Sequence, residues 1–365
     1  MSAHSHAAAE PEVIVGRENA VGVVRLNRPK ALNALTLSMV RAVRAALEDF
    51  SGDPAVALVI LEGAGERAFS AGGDIRTIHE RGKIGDGFAE KFWAEEYELD
   101  ALIARFPKPV VAIMHGIVMG GGAGLAIHAS HRIVTDSTRF AFPEVGIGFI
   151  PDVGASWLLP RAPGQTGRYL AFTGESVRAA DVIRAGLSDT YVPASNLAAL
   201  RADLLALPAG IDAGQVSAVI DRHRVEPPAG LFAAYGAEID AAFRQEAIED
   251  ILAALDDAGS EFAAKTIATI RSRSPTSLRL AAELLRLGRG AKSLEECLLR
   301  EFHAACLTLK GHDFYEGVRA AVIDKDRNPR WSPPSLAEAP PARPEDFAFT
   351  AGVRPPAFPS QEILS

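Results

Sequence analysis

The sequence predicts a mixed α/β (α+β) fold in which pairs of strands, each followed by a helix, repeat along the chain and then give way to helices. Two observations predict it. Short β-rich apolar runs recur ahead of helix-periodic stretches, and beyond about Leu197 only helical patterns remain. With 48% hydrophobic and 23% charged residues among 365, the chain has ample material for a large core.

Residues 12–26, EVIVGRENAVGVVRL, hold two β-rich runs around the polar turn RENA, a hairpin pattern. After the loop NRPKALNA (27–34), TLSMVRAVRAALEDF places Leu37, Val40, Val43, Leu47 and Phe50 on one helical face, with Thr36 as its cap. SGDP ends that helix, AVALVILEG is a buried strand, and GERAFSAGGD is a glycine-rich loop entering another helix. In GFAEKFWAEEYELDALIARF, Phe88, Phe92, Leu99, Ile103 and Phe106 form one helical stripe. Glu95 and Glu96 fall near its edges, and periodicity does not choose which of them points inward. PVVAIMHGIVM is strand material, GGGAGLAIHA starts a helix, and HRIVTD and RFAFPE are strands again. The later helices are NLAALRADLLAL, AGLFAAYGAEIDAAF, EAIEDILAALDDA, SPTSLRLAAELLRLG and SLEECLLREFHAACLTLKG. The expected organisation is a flexible tail over 1–11, a mixed core over 12–210, a helical region over 211–333 packed on that core, and a proline-rich tail over 334–365.

A net charge of −8 argues against nucleic acid or an anionic membrane as partner. No apolar run approaches the roughly 20 residues that span a bilayer. The opening MSAHSHAAAE lacks Arg, Lys and a long apolar stretch, so it reads as neither a secretory nor a transit signal. Cys297 and Cys306 are the only cysteines, and they fit buried free thiols in a reducing compartment rather than a metal site or a disulfide. The expectation is a cytoplasmic protein.

Chemistry concentrates in three segments. SAGGDI (70–75) and VMGGGAGLA (118–126) each follow a strand and open a helix, where backbone amides attract negative charge. Two such loops suggest amides converging on one oxygen, the logic of an oxyanion hole. A dinucleotide fingerprint on Gly122-Ala-Gly124 is the weaker reading, because Ile127 stands at the third position and Asp136 arrives early. FAFPEVGIGFIPDVGAS (140–156) sets Glu144 and Asp152 after prolines in an otherwise apolar, glycine-punctuated run. Taken singly, either acid reads as a turn residue. Following the two glycine loops in this order, the pair reads as two carboxylates sharing a dry pocket, with coupled titrations and one pKa raised. Asp74 reads as the cap of the helix after SAGGD.

SAGGDI, HGIVMGGGAGLA and FPEVGIGFIPDVGAS, in that order, resemble the crotonase (enoyl-CoA hydratase/isomerase) superfamily over essentially the whole chain. The resemblance implies a crotonase-like spiral of ββα units, an acyl-CoA substrate, and a thioester oxygen held by the amides of Gly73 and Gly121. Hydratases of the superfamily carry a glutamate where this chain has Gly124, while their second catalytic glutamate matches Glu144. The segments PEVGIGFIPDVG, EEY (95–97) and GHDFYEGVRAAVIDKDRNPRW (311–331) are similar to the branch that hydrolyses 3-hydroxyisobutyryl-CoA in valine breakdown. That likeness implies Glu144 as nucleophile or general base, Asp152 as its proton-handling partner, and Glu96 against the acyl portion. Glu96 would otherwise read as a solvated glutamate beside a lysine such as Lys91. Gly72, Gly121, Asp74 and Ile75 complete the expected substrate contacts, and Arg28 and Lys30 in NRPKALNA would face the CoA phosphates. His312 and Asp313 are expected to join the tail segment to the core. No metal or redox cofactor is expected, CoA being part of the substrate. The superfamily's trimers imply a homo-oligomer, unless the helical extension covers that interface.

Overall fold

The structure is a computed structural model that describes residues 10–350 and 352–358. All but the last two residues of the expected flexible tail over 1–11 lie outside the described residues, as do positions 359–365 of the proline-rich tail.

Nine strands are described: β1 (Val13–Glu18), β2 (Val21–Leu26), β3 (Leu58–Gly63), β4 (Ala68–Ser70), β5 (Val110–Met114), β6 (Ile117–Met119), β7 (His131–Val134), β8 (Arg139–Ala141) and β9 (Thr190–Tyr191). β1 and β2 form the expected antiparallel hairpin. Every other pairing is parallel. The larger sheet runs β1-β2-β3-β5-β7-β9 and the smaller β4-β6-β8, so the pairs β3/β4, β5/β6 and β7/β8 each give one strand to each sheet. This is the repeat legible in the sequence. The single apolar run PVVAIMHGIVM divides at Gly116, which adopts φ +60°. A Cβ there would strike the Arg67 carbonyl, so the chain turns sharply from one sheet to the other only with glycine.

α1 (Leu37–Gly52) begins at Thr36, whose hydroxyl accepts from the Met39 amide at 3.2 Å. α2 (Ile75–Ile84), α3 (Phe88–Ala104) and α4 (Gly121–Ile127) follow their strands in turn. Past the exposed edge strand β1, the larger sheet is largely apolar on both faces, as parallel strands covered twice must be. Val23, Leu58, Ile60, Val111 and Ile133 face the helices Leu197–Leu205 and Ala213–Asp221. The alternate residues Val24, Val59, Leu61, Ala112 and Val134 enter the main core with α1, α3 and α4. The helices from Leu231 to Thr308 share that same main core, through Phe232, Phe243, Leu284 and Phe302. The proline-rich tail is anchored where it crosses this body: Phe347 is buried, and the Ala357 amide donates to Glu98 at 2.8 Å. Among the described residues no helix is long and apolar enough to cross a membrane.

Candidate active site

A cavity of about 100 Å³ opens where the two glycine loops meet the acid pair. Its polar rim is Gly72, Gly73, Gly120, Gly121, Glu96, Glu144 and Asp152, and its walls include Ile75, Ile78, Phe92, Trp93, Ile147 and Phe149. Trp93 stacks on Phe149 with ring centroids 5.0 Å apart, and Phe314 from the helical region closes on both rings. The result is a rigid apolar lining around a few converging polar groups.

Each polar group arrives on its own element. The β4–α2 loop brings Gly73, and the β6–α4 junction brings Gly121. A Cβ on Gly121 would lie 3.4 Å from the Gly73 nitrogen, so the two amides are neighbours. Among the described residues neither amide has an acceptor. Asp74 caps α2 as expected, its carboxylate accepting from the Thr77 amide at 3.4 Å. Gly122 leaves no approach for a dinucleotide, because a Cβ there would already meet Ser70 at 2.5 Å.

α3 settles the choice between the paired glutamates. Glu95 turns outward to Arg41, with an Nε–Oε2 distance of 2.6 Å, while Glu96 turns into the cavity. Glu144 opens a 3₁₀ turn, Glu144–Ile147, directly after β8, and Asp152 follows on the next loop. Glu96, Glu144 and Asp152 are all 4% exposed or less. Neither Glu144 oxygen nor Glu96 Oε1 has a hydrogen-bond partner. Asp152 has one: the buried Tyr97 hydroxyl donates to its Oδ2 at 2.6 Å.

The electrostatics follow from this crowding. Burial, and then the Asp152 charge, push Glu144 and Glu96 well above the ordinary carboxylate range. Burial raises Asp152 as well, but the Tyr97 hydrogen bond pulls back, and it settles at about 7. The three carboxyls therefore titrate as one coupled group, in which the Tyr97 hydrogen bond favours the charge on Asp152.

Two further buried acids escaped the sequence reading. Asp100, one turn beyond Glu96 on α3, is fully buried with neither oxygen partnered. It lies beneath Gly124, where a Cβ would come 2.7 Å from Asp100 Oδ1 and 2.8 Å from Val153 Cβ. Position 124 thus has no room for a side chain. Glu301, from the helix Leu294–Thr308, is also fully buried and accepts from the Gly154 and Ser156 amides, each at 2.8 Å. Both sit within apolar helical stripes, and a charged residue in such a stripe was the available signal.

Two expected residues do not reach the cavity. Arg28 is held by Glu12 at 3.1 Å and Asp74 at 3.3 Å, and it donates to the Ala34 carbonyl. Lys30 is exposed on the short 3₁₀ turn Pro29–Ala31. Among the described residues no three His, Cys, Asp or Glu are arranged to hold a metal ion.

A family model described as enoyl-CoA hydratase/isomerase matches residues 21–348. The chain belongs to that family. Members similar to this enoyl-CoA hydratase/isomerase-family chain include the mitochondrial 3-hydroxyisobutyryl-CoA hydrolase of Homo sapiens, 40% identical over 93% of this chain and 88% of that one. The enzyme of the same name from Danio rerio is 42% identical over 90% and 87%. Among solved structures, a carnitinyl-CoA dehydratase from Mycobacterium thermoresistibile superposes with a TM-score of 0.86 at 40% identity, covering 94% of this chain and 98% of that one. The crotonase-like fold expected from the sequence is the fold of this family.

These relatives overturn the expectation of a cytoplasmic protein, since both hydrolases are mitochondrial by name. The compositional ground for it was the pair of free thiols, which marks a reducing compartment without telling one such compartment from another. The N-terminal positions it also leaned on, 1–9, lie outside the described residues.

Proposed function

We propose that this chain hydrolyses 3-hydroxyisobutyryl-CoA to 3-hydroxyisobutyrate and free CoA, with the roles below assigned to its own residues. The observation that carries the reading is the meeting of two unpartnered amides, Gly73 and Gly121, with the buried acids Glu144 and Asp152. The names of relatives about 40% identical over most of the chain support the substrate. A cavity of about 100 Å³ suits a short acyl group, being far below the roughly 300–1,000 Å³ of sites for drug-sized ligands.

The thioester oxygen lies against the two amides, which stabilise the charge it gains on attack. In the empty site Asp152 is the stronger acid, because Tyr97 supports its anion. On substrate binding the Glu144 proton passes to Asp152, leaving Glu144 ionised beside the carbonyl carbon. Glu144 then attacks that carbon itself, or takes a proton from a water that does. As the C–S bond breaks, its electron pair goes to sulfur, and Asp152 returns the proton to the thiolate. Along the direct route, water deprotonated by Asp152 opens the acyl–Glu144 anhydride and restores the carboxylate. Both routes consume one water and release a carboxylic acid and a thiol. Glu96 hydrogen-bonds the substrate's β-hydroxyl. Lys30 meets the CoA phosphates, while Arg28 fixes the loop that carries it. The reaction draws on no metal or redox group, and CoA leaves as product.

A dehydratase on the same scaffold is the second reading, favoured by the name of the Mycobacterium thermoresistibile structure. The lack of room for a side chain at position 124 speaks against it, since water addition shares its proton work between two acids. The test follows thiol release from 3-hydroxyisobutyryl-CoA, with hydration of crotonyl-CoA in parallel, for the wild type and Glu144→Gln. Fast release without hydration, lost in Glu144→Gln while CoA still binds, is the expected result. Unchanged turnover in that variant overturns the mechanism, and hydration without release overturns the function.

A further inference from the structure

Asp152 opens a backbone segment that the chain does not adopt cheaply. Val153 has φ +52° and Gly154 has φ +86°. A left-handed valine is unfavourable because its branched Cβ crowds the carbonyl, and such a residue persists only where its surroundings over-determine it. The surroundings here are specific. A ring nitrogen of His128, just past α4, contacts the Val153 carbonyl at 2.8 Å. Tyr97 holds the Asp152 carboxylate itself. On the far side Glu301 spans the turn: its Oε2 accepts from the Gly154 amide, and its Oε1 accepts from both the Ser156 amide, at 2.8 Å, and the Ser156 hydroxyl, at 2.5 Å.

Glu301 thus joins the helical region to Gly154 and Ser156, one and three residues past the strained valine. A fully buried carboxylate is costly to keep in an apolar helix face, and it is retained here with three donors drawn from one short loop. Cys297 on the same helix also meets Ser156, but among the described residues of that helix only the Glu301 carboxylate accepts from the loop's backbone amides. We infer that Glu301 is a positioning residue for the thioesterase reaction, holding the Val153–Gly154 turn in the conformation that aims the Asp152 carboxylate at Glu144. The inference rests on the proton-handling role proposed for Asp152. Glu301 lines no part of the cavity and acts through that residue alone.

The experiment is a double-mutant cycle on kcat and KM for 3-hydroxyisobutyryl-CoA, using Glu301→Gln, Asp152→Asn and the pair. A carboxamide cannot accept from all three donors, so Glu301→Gln frees the turn while keeping the side chain's volume. The expected result is a kcat loss of about tenfold or more with KM changed less than about threefold, and less than about twofold further loss when Glu301→Gln is added to Asp152→Asn. An equal kcat loss in both backgrounds, a loss confined to KM, or no loss overturns the inference, because Glu301 would then be general scaffolding. If Asp152→Asn itself keeps full kcat, the underlying mechanism has failed, and that outcome is distinct from the other three. Should Glu301→Gln not fold, Ser156→Ala replaces it in the same cycle. That variant removes one of the three donors, and a loss of about two- to fivefold that vanishes beside Asp152→Asn is expected.

Discussion

The Glu96 carboxylate occupies the space into which a methyl group on Gly121 would project. Glycine at 121 therefore serves two ends at once: it presents an unpartnered amide beside Gly73, and it leaves room for an acid directly against that amide. Gly121→Ala forces Glu96 or the amide to move. Turnover of 3-hydroxyisobutyryl-CoA should fall by about 10²–10³, the usual effect of losing one oxyanion donor. Far-UV circular dichroism should match the wild type. Activity within threefold of the wild type would mean that the amide pair does not face the reacting carbonyl.

The turn that carries Glu144 is fixed from the helical region. The Ser274 amide donates to the Val145 carbonyl at 3.0 Å, and the Ser274 hydroxyl donates to Asp313 Oδ2 at 2.6 Å. Asp313 Oδ1 accepts from the Ser332 amide at 2.8 Å, so one buried carboxylate joins three segments. All three segments belong to the helical region; the contact expected between Asp313 and the core is made instead by its backbone carbonyl, which a Cβ on Gly148 would strike. Asp313→Ala strands two donors and should cost about 2–4 kcal/mol in urea unfolding. It should also lower kcat more than it raises KM. A variant as stable as the wild type would show that Asp313 is dispensable to the join.

The sequence disclosed the ββα repeat because each parallel strand, covered on both faces, is an unbroken apolar run. It concealed the division of strands between two sheets, since PVVAIMHGIVM reads as one element until Gly116 is seen to turn. The helix Glu261–Arg271 was likewise missed, its cap Ser260 lying in a run of small and charged residues. At the site, the glycine loops and the Glu144–Asp152 pair were legible from local order alone. Tyr97, Asp100 and Glu301 were not. Tyr97 acts on a residue 55 positions away, and Glu301 on amides about 145 positions away. Only the oddity of a charge inside the stripes Trp93–Tyr97–Asp100 and Leu294–Cys297–Leu298–Glu301 pointed to them.

Cys297 and Cys306 are free and buried, and burial pushes both thiols up to about 12. A neutral, enclosed thiol is a poor nucleophile. Neither should react with a disulfide reagent such as DTNB in the native protein at pH 8 on the minute timescale, and both should react at once in 6 M guanidinium. Fast native labelling of one thiol would place the helix Leu294–Thr308 among the segments that open locally.

Asp100 gives the protein's stability a distinctive pH dependence. Burial first, and then the charges of Glu96, Asp152 and Glu301, raise its pKa well above the ordinary value. The unfolded chain releases this proton near pH 4, whereas the folded protein retains it to much higher pH. Between those points the folded state binds more protons than the unfolded state, so stability falls as pH rises, by ~1.4 kcal/mol for each unit the interval spans. Asp152, at about 7, and Glu301, at about 8, act in the same direction over their own intervals. Asp100→Asn removes one titration and keeps the shape. Its melting temperature should sit close to the wild type's at pH 4.5 and rise above it progressively at pH 6 and pH 8. A constant difference across that range, or a loss that grows with pH, would show that Asp100 is ionised and satisfied in the folded protein.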